Sequence, residues 1–224
     1  ADGAESDNIA IGYDALGNMN NDGALKNIAI GSKAGDGMGA YASSHNIFMG
    51  YDAGGGTWGA ASDYNVGIGN YVMDAAMNDA NENTAIGYGS LSELTLGDDN
   101  VAVGFLAGNA ITTGDKNTFL GSGAADALTQ GDLNVAIGHN AMGNASSTDG
   151  IDHNVIIGAY AGDEIAGNAL TQAVIVGYGA GSGVLTSAAS GIVAVGNLAL
   201  NSLTTGAGNT AVGYTAGAAL TTGA

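Results

Sequence analysis

A chain of 224 residues with 41 Gly, no Pro, no Cys and only 6% aromatic residues cannot fill a conventional core with large side chains, while 46% apolar residues argue against disorder. Its formal charge of -18, from 21 Asp and Glu against Lys26, Lys33 and Lys116, excludes nucleic acid as a partner, because cations are needed to displace phosphate counterions. The absence of Cys removes disulfide and thiolate chemistry, and no run of about 18 apolar residues is present to span a bilayer.

The first element is Asn8-Ile9-Ala10-Ile11-Gly12, and it returns along the whole chain. Its closing glycine recurs as Gly12, Gly31, Gly50, Gly69, Gly87, Gly104, Gly121, Gly138, Gly158, Gly177, Gly196 and Gly213, with 17–20 residues between successive copies. Such a period means stacked supersecondary units. The position after Asn is always β-branched (Ile9, Ile28, Ile47, Val66, Thr84, Val101, Thr118, Val135, Val155, Val174, Val193, Thr210), which favours a strand. Two residues on stands an aliphatic residue or Met49 in every copy. The reading is an all-β, parallel β-solenoid or β-roll of about twelve 17–20-residue coils, a single repeat domain over 1–224. At strand spacing twelve coils predict a rod of roughly 55–60 Å.

In a strand the first and third columns share one face, and their size predicts that they fill the coil. The intervening column would then point outward. It is mostly Ala, with Gly67, Phe48, Phe119, Ile156 and Ile175. A strand apolar on both faces is buried on both, so the pattern predicts parallel association of identical chains, most simply a trimer. The alternative is a broader monomeric solenoid whose other segments cover that face.

The Asn column (Asn8, Asn27, Asn46, Asn65, Asn83, Asn100, Asn117, Asn134, Asn154, Asn209) predicts a side-chain ladder between coils and to turn backbone, broken at Ala173 and Ile192. Three residues after each anchor glycine a second small column runs from Ala15 and Ala34 to Ala216, marking a second short strand or an inward corner per coil. Polar turns such as Thr112-Thr113-Gly114, Thr204-Thr205-Gly206 and Thr221-Thr222-Gly223 close the coils. The chain lacks an initiator Met and ends just before the next Asn is due, so it reads as a segment of a longer molecule continuing past Ala224.

The stretch Asn209 to Gly223 (NTAVGYTAGAALTTG), with similar stretches at Asn83 to Gly97 and Asn117 to Gly131, resembles a repeat of bacteriophage tail-fibre proteins. It is also similar to the head repeat of YadA-type trimeric autotransporter adhesins, whose period is shorter. The resemblance covers nearly the whole chain. It implies a left-handed β-roll, a homotrimer, and a place on a virion tail fibre or a cell surface, with other fibre or tail proteins and a host glycan or protein receptor as partners.

Residues that carry chemistry elsewhere fit structural columns here. His45 and His153 precede anchor asparagines, and His139 takes a column of Tyr13, Tyr51, Tyr88, Phe105, Tyr178 and Tyr214. Gly179-Ala180-Gly181-Ser182-Gly183 lacks the strand-turn-helix context of a phosphate loop. Asp98-Asp99 and Asp163-Glu164 read as solvated turns, since the nonapeptide of calcium β-rolls is absent. No catalytic residue, metal site or cofactor is therefore expected, and the chain is read as a non-enzyme. Tyr41, Trp58, Tyr64 and Tyr71, in the less regular early coils, are the candidates for surface contact. The function expected is a structural or adhesive fibre segment, a shaft or spacer of a phage tail fibre. The alternatives are an adhesin head binding host matrix or glycan, an ice-binding solenoid, and a polysaccharide-degrading tailspike.

Overall fold

The computed structural model describes residues 7–145, 150–165 and 170–223. The expectations attached to Ala1 and Ala224 lie outside them. The chain forms two compact units, Ala1–Thr113 and Gly114–Ala224. Each is all-β, a parallel β-solenoid of six coils with one three-residue strand per coil. Unit 1 holds β1 (Ile9–Ile11), β2 (Ile28–Ile30), β3 (Ile47–Met49), β4 (Val66–Ile68), β5 (Thr84–Ile86) and β6 (Val101–Val103). Unit 2 holds β7 (Thr118–Leu120), β8 (Val135–Ile137), β9 (Val155–Ile157), β10 (Val174–Val176), β11 (Val193–Val195) and β12 (Thr210–Val212). Consecutive strands within a unit pair in parallel with equivalent residues aligned, as in Ile28↔Ile47 and Val135↔Val155.

The anchor glycine is dictated by the stack. Its φ lies at 133–146° throughout, and a Cβ at Gly31 would collide with the Gly50 carbonyl oxygen one coil on. Three further corners per coil sit in the left-handed region: the residue before Asn, and those two and four after the glycine. His45 (φ 62), Asp52 (φ 55) and Leu91 (φ 50) are examples.

The assignment of strand faces from sequence is overturned. Ala29, Phe48, Ala85, Ala102, Phe119, Ala136, Ile156, Ile175 and Ala194, the column expected outside, are fully buried. The flanking columns face outward, with Ile86 38% and Val101 39% exposed. The physical reason is the narrowness of the coil. The strand lies directly against the second small column: Ser90 Oγ donates to the Ala102 carbonyl at 3.0 Å, and a Cβ at Gly67 would lie 3.2 Å from Val72 Cγ1. Only small residues fit in every layer, and Leu16, Met38, Met73, Leu91, Leu128 and Met142 fill what remains. Size had been equated with burial; here the β-branched residues serve the extended backbone from outside.

Three of the four large residues in the inner column, Phe48, Ile156 and Ile175, are matched by glycines, and Phe119 by Ala125. A Cβ at Gly54 would meet the Phe48 ring at 2.7 Å, and Cβ atoms at Gly162 and Gly181 would meet Ile156 and Ile175 Cδ1 at 3.0 Å. Where the inner residue is Ala85 or Ala194, the matching corner is Leu91 or Leu200. Volume is thus exchanged across the coil.

Candidate interaction surface

Alternation places the first and third residues of each strand on the outside, and none of the strand residues is charged. Met49, Ile68, Ile86 and Val101 in unit 1, and Leu120 and Val174 in unit 2, are exposed apolar side chains on this face.

An aromatic ladder borders it in sequence, because each aromatic follows the strand by two or three residues. In unit 1, Tyr51, Tyr71 and Tyr88 pack edge to face with ring centroids 5.3 and 5.7 Å apart, and Tyr88 stacks on Phe105 at 5.5 Å. In unit 2, His139, Tyr160 and Tyr178 pack edge to face at 5.3 and 6.1 Å. Tyr71 and Tyr160 stand one position later than the others, after Asn70 and Ala159, yet their rings complete the ladder. Asn70 instead accepts the Tyr51 N–H at 2.9 Å. That shift hid Tyr160 from column reading.

The other named aromatics divide. Trp58 is corrected: it is 2% exposed, donates from Nε1 to the Gly55 carbonyl at 2.9 Å, and packs edge-on against Phe48 at 5.9 Å. Gly37 beneath its ring gives an indole room inside the coil. Trp58 is a core residue and offers no surface contact. Tyr41 is half-buried. Tyr64 is 56% exposed and stacks on His45 at 4.8 Å. It also lines a cleft of about 380 Å³ with Asp63, Asp79, Asn81, Glu82, Asp98 and Asp99.

The Asn ladder runs inside. Asn27, Asn46, Asn65, Asn83, Asn100, Asn117, Asn134 and Asn154 are fully buried. Asn46 Oδ1 accepts from Asn65 N at 2.9 Å and Nδ2 at 3.2 Å, while Asn65 Nδ2 also donates to the Ala80 carbonyl. Asn8 begins the series, donating to the Ala24 carbonyl and accepting from Asn27 N at 2.7 Å. In unit 2 the series ends where Ala173 N donates to Asn154 Oδ1 at 2.9 Å, and Asn209 donates to its own turn at Gly206.

A second ladder escaped the sequence reading. Two residues before Asn65, Asn83, Asn100, Asn134 and Asn154, a side-chain oxygen accepts the N–H of the equivalent residue one coil earlier. Asp63 accepts from Ser44 (2.6 Å), Asn81 from Asp63 (2.8 Å), Asp98 from Asn81 (2.7 Å), Asp132 from Asp115 (2.9 Å) and Asp152 from Asp132 (2.8 Å). The recurrence of Asp at this position was the available signal.

Among the described residues, no group of three or more His, Asp or Glu is placed to hold a metal ion, and no helix is long and apolar enough to cross a membrane. Four carboxyl groups are held above their ordinary range, each chiefly by burial: Asp36, Asp126, Asp163, and Asp74, which reaches about 6. No protein-family model matches the chain, and no curated protein or solved structure does either.

Proposed function

We propose that the chain is a structural, adhesive segment of a fibre on a virion or cell surface, in which copies associate through the outward strand face. The observation that carries this reading is that face: uncharged, mostly apolar and bordered by aromatic rings packed mainly edge to face, on a chain of net charge -18. Contiguous exposed apolar surface on an otherwise charged protein marks an interaction site. Acidic residues at turns keep copies apart everywhere except along the strand face. The resemblance to tail-fibre and adhesin-head repeats favours three copies.

The test is the mass of the folded chain by light scattering. Three times 21.6 kDa is expected. A folded monomer of 21.6 kDa contradicts the association. An adhesive contribution is favoured by the exposed Tyr64–His45 stack. Glycan-array binding should then weaken in Tyr64→Ala and persist in Trp58→Phe.

A further inference from the structure

Four consecutive coils of unit 1 bring one carboxylate each to a common row. Asp36 and Asp74 stand five residues after Gly31 and Gly69. In the first and third coils that position is Gly17 and Gly55, and an aspartate three residues earlier uses the space. A Cβ at Gly17 would collide with the Asp14 carboxylate, and one at Gly55 would lie 2.6 Å from Asp52 Oδ1. The coils are locked beside each other here: Gly35 N donates to the Ala53 carbonyl at 2.8 Å and Gly54 N to the Val72 carbonyl at 2.9 Å. Asp14, Asp36, Asp52 and Asp74 therefore form one row, at about the ~4.8 Å repeat of stacked strands. Like charges at such spacing resist full ionisation.

We propose that Asp36 and Asp74, set beside the other carboxylates of this row, take up protons on mild acidification and thereby tighten the first four coils of unit 1, a pH-responsive stiffening device built into the stack. The charged groups facing Asp36 are Asp52, Lys33 and Asp14, with Lys33 alone opposing protonation. Those facing Asp74 are Asp52 and Glu93. Burial comes first for both and the Asp52 charge adds to it in each, while a hydrogen bond from the residue's own backbone opposes protonation, ranking above the Asp52 charge at Asp74. Unit 2 holds a natural control. There Asp126 and Asp163 flank Gly143, and the residue three before that glycine is Asn140, a neutral amide where unit 1 has Asp52. Glu164 and His139 act on Asp163 with opposite signs.

A carboxyl group with a raised folded pKa binds more protons folded than unfolded between its ordinary value of 3.8 and, for Asp74, about 6. Its contribution is fully present below that window and is lost as pH rises through it.

Hydrogen exchange of the whole chain, with a chelator present and corrected for intrinsic rates, should be compared at about pH 5 and about pH 7.5. Amides of the second to fourth coils are expected to gain roughly tenfold protection at the lower pH, more than the equivalent coils around Asn140. Asp52→Asn, a residue that unit 2 already accommodates, should reduce that gain to the level of unit 2, and Asp36→Asn should do likewise. Protection that does not rise on acidification overturns the proposal. So does a full rise retained in both variants, since burial of Asp74 alone would then account for it.

Discussion

The residue before each Asn is held at φ 45–71° in all twelve coils. Side chains pay for such a corner through contact between Cβ and the following carbonyl, about 1–2 kcal/mol. Among the described non-glycine residues in the left-handed region only Thr215 is β-branched, as the crowding of a branched Cβ requires. His153, exposed at φ 61°, tests this directly. His153→Val should lower stability by about 1–2 kcal/mol, whereas His153→Gly should be neutral or stabilising, both read by chemical denaturation. The buried asparagines obey a different rule, since each is donor and acceptor at once. Asn83→Ala leaves Asn100 N–H, Asn100 Nδ2 and the Gly97 carbonyl each short of a bond. Asn154→Ala takes a bond from Ala173 N–H and from the Leu170 carbonyl, and leaves Asn134 Oδ1 still accepting the backbone N–H of residue 154. At about 1–3 kcal/mol per buried unsatisfied group, Asn83→Ala should be the more destabilising, and equal unfolding midpoints would contradict the ladder's energetic role.

In most coils volume is traded between the inner strand residue and the corner four residues after the glycine, whereas Ala29 with Gly35 and Ala102 with Gly108 are small at both positions. Phe48 sits over Gly54, while Ala85 is matched by Leu91. Phe48→Ala should cost about 3–5 kcal/mol, and Gly54→Leu alone should overpack by about 1–3 kcal/mol. Combined, they recreate the Ala85 and Leu91 arrangement, so the double variant should recover most of the loss in a mutant cycle. Strict additivity would refute the exchange. This scale also shows what the sequence could convey. The period, the strand positions and the Asn and glycine columns follow from local rules that leave a residue signature every 17–20 positions. Facing did not follow, because a period of two says which residues share a face and is silent on which face is inside. Coil width decided that, through contacts such as Ser90 with the Ala102 carbonyl. Trp58 was misplaced for the same reason: its cavity exists because Gly37 and Gly55 lie beside it, which only the stacking of coils reveals. Tyr71 and Tyr160 reach the aromatic ladder from a shifted position, which no column could display.

At the scale of the molecule, charge and apolar surface are segregated. Among the described residues the strands carry no charge, and the acidic side chains lie outside them. Turning the strands inside out relative to the sequence reading moves the outward surface from Ala to Ile, Val, Met and Leu. Larger apolar side chains on that surface leave more area that association of copies would remove from water. The most direct test is sedimentation velocity of the chain beside an Ile68→Lys, Ile86→Lys double variant, with circular dichroism to verify the fold. The predicted result is a trimer for the unaltered chain and a folded monomer for the variant. A monomeric unaltered chain, or a variant that remains trimeric, would contradict the assignment of the outward strand face as the surface through which copies meet.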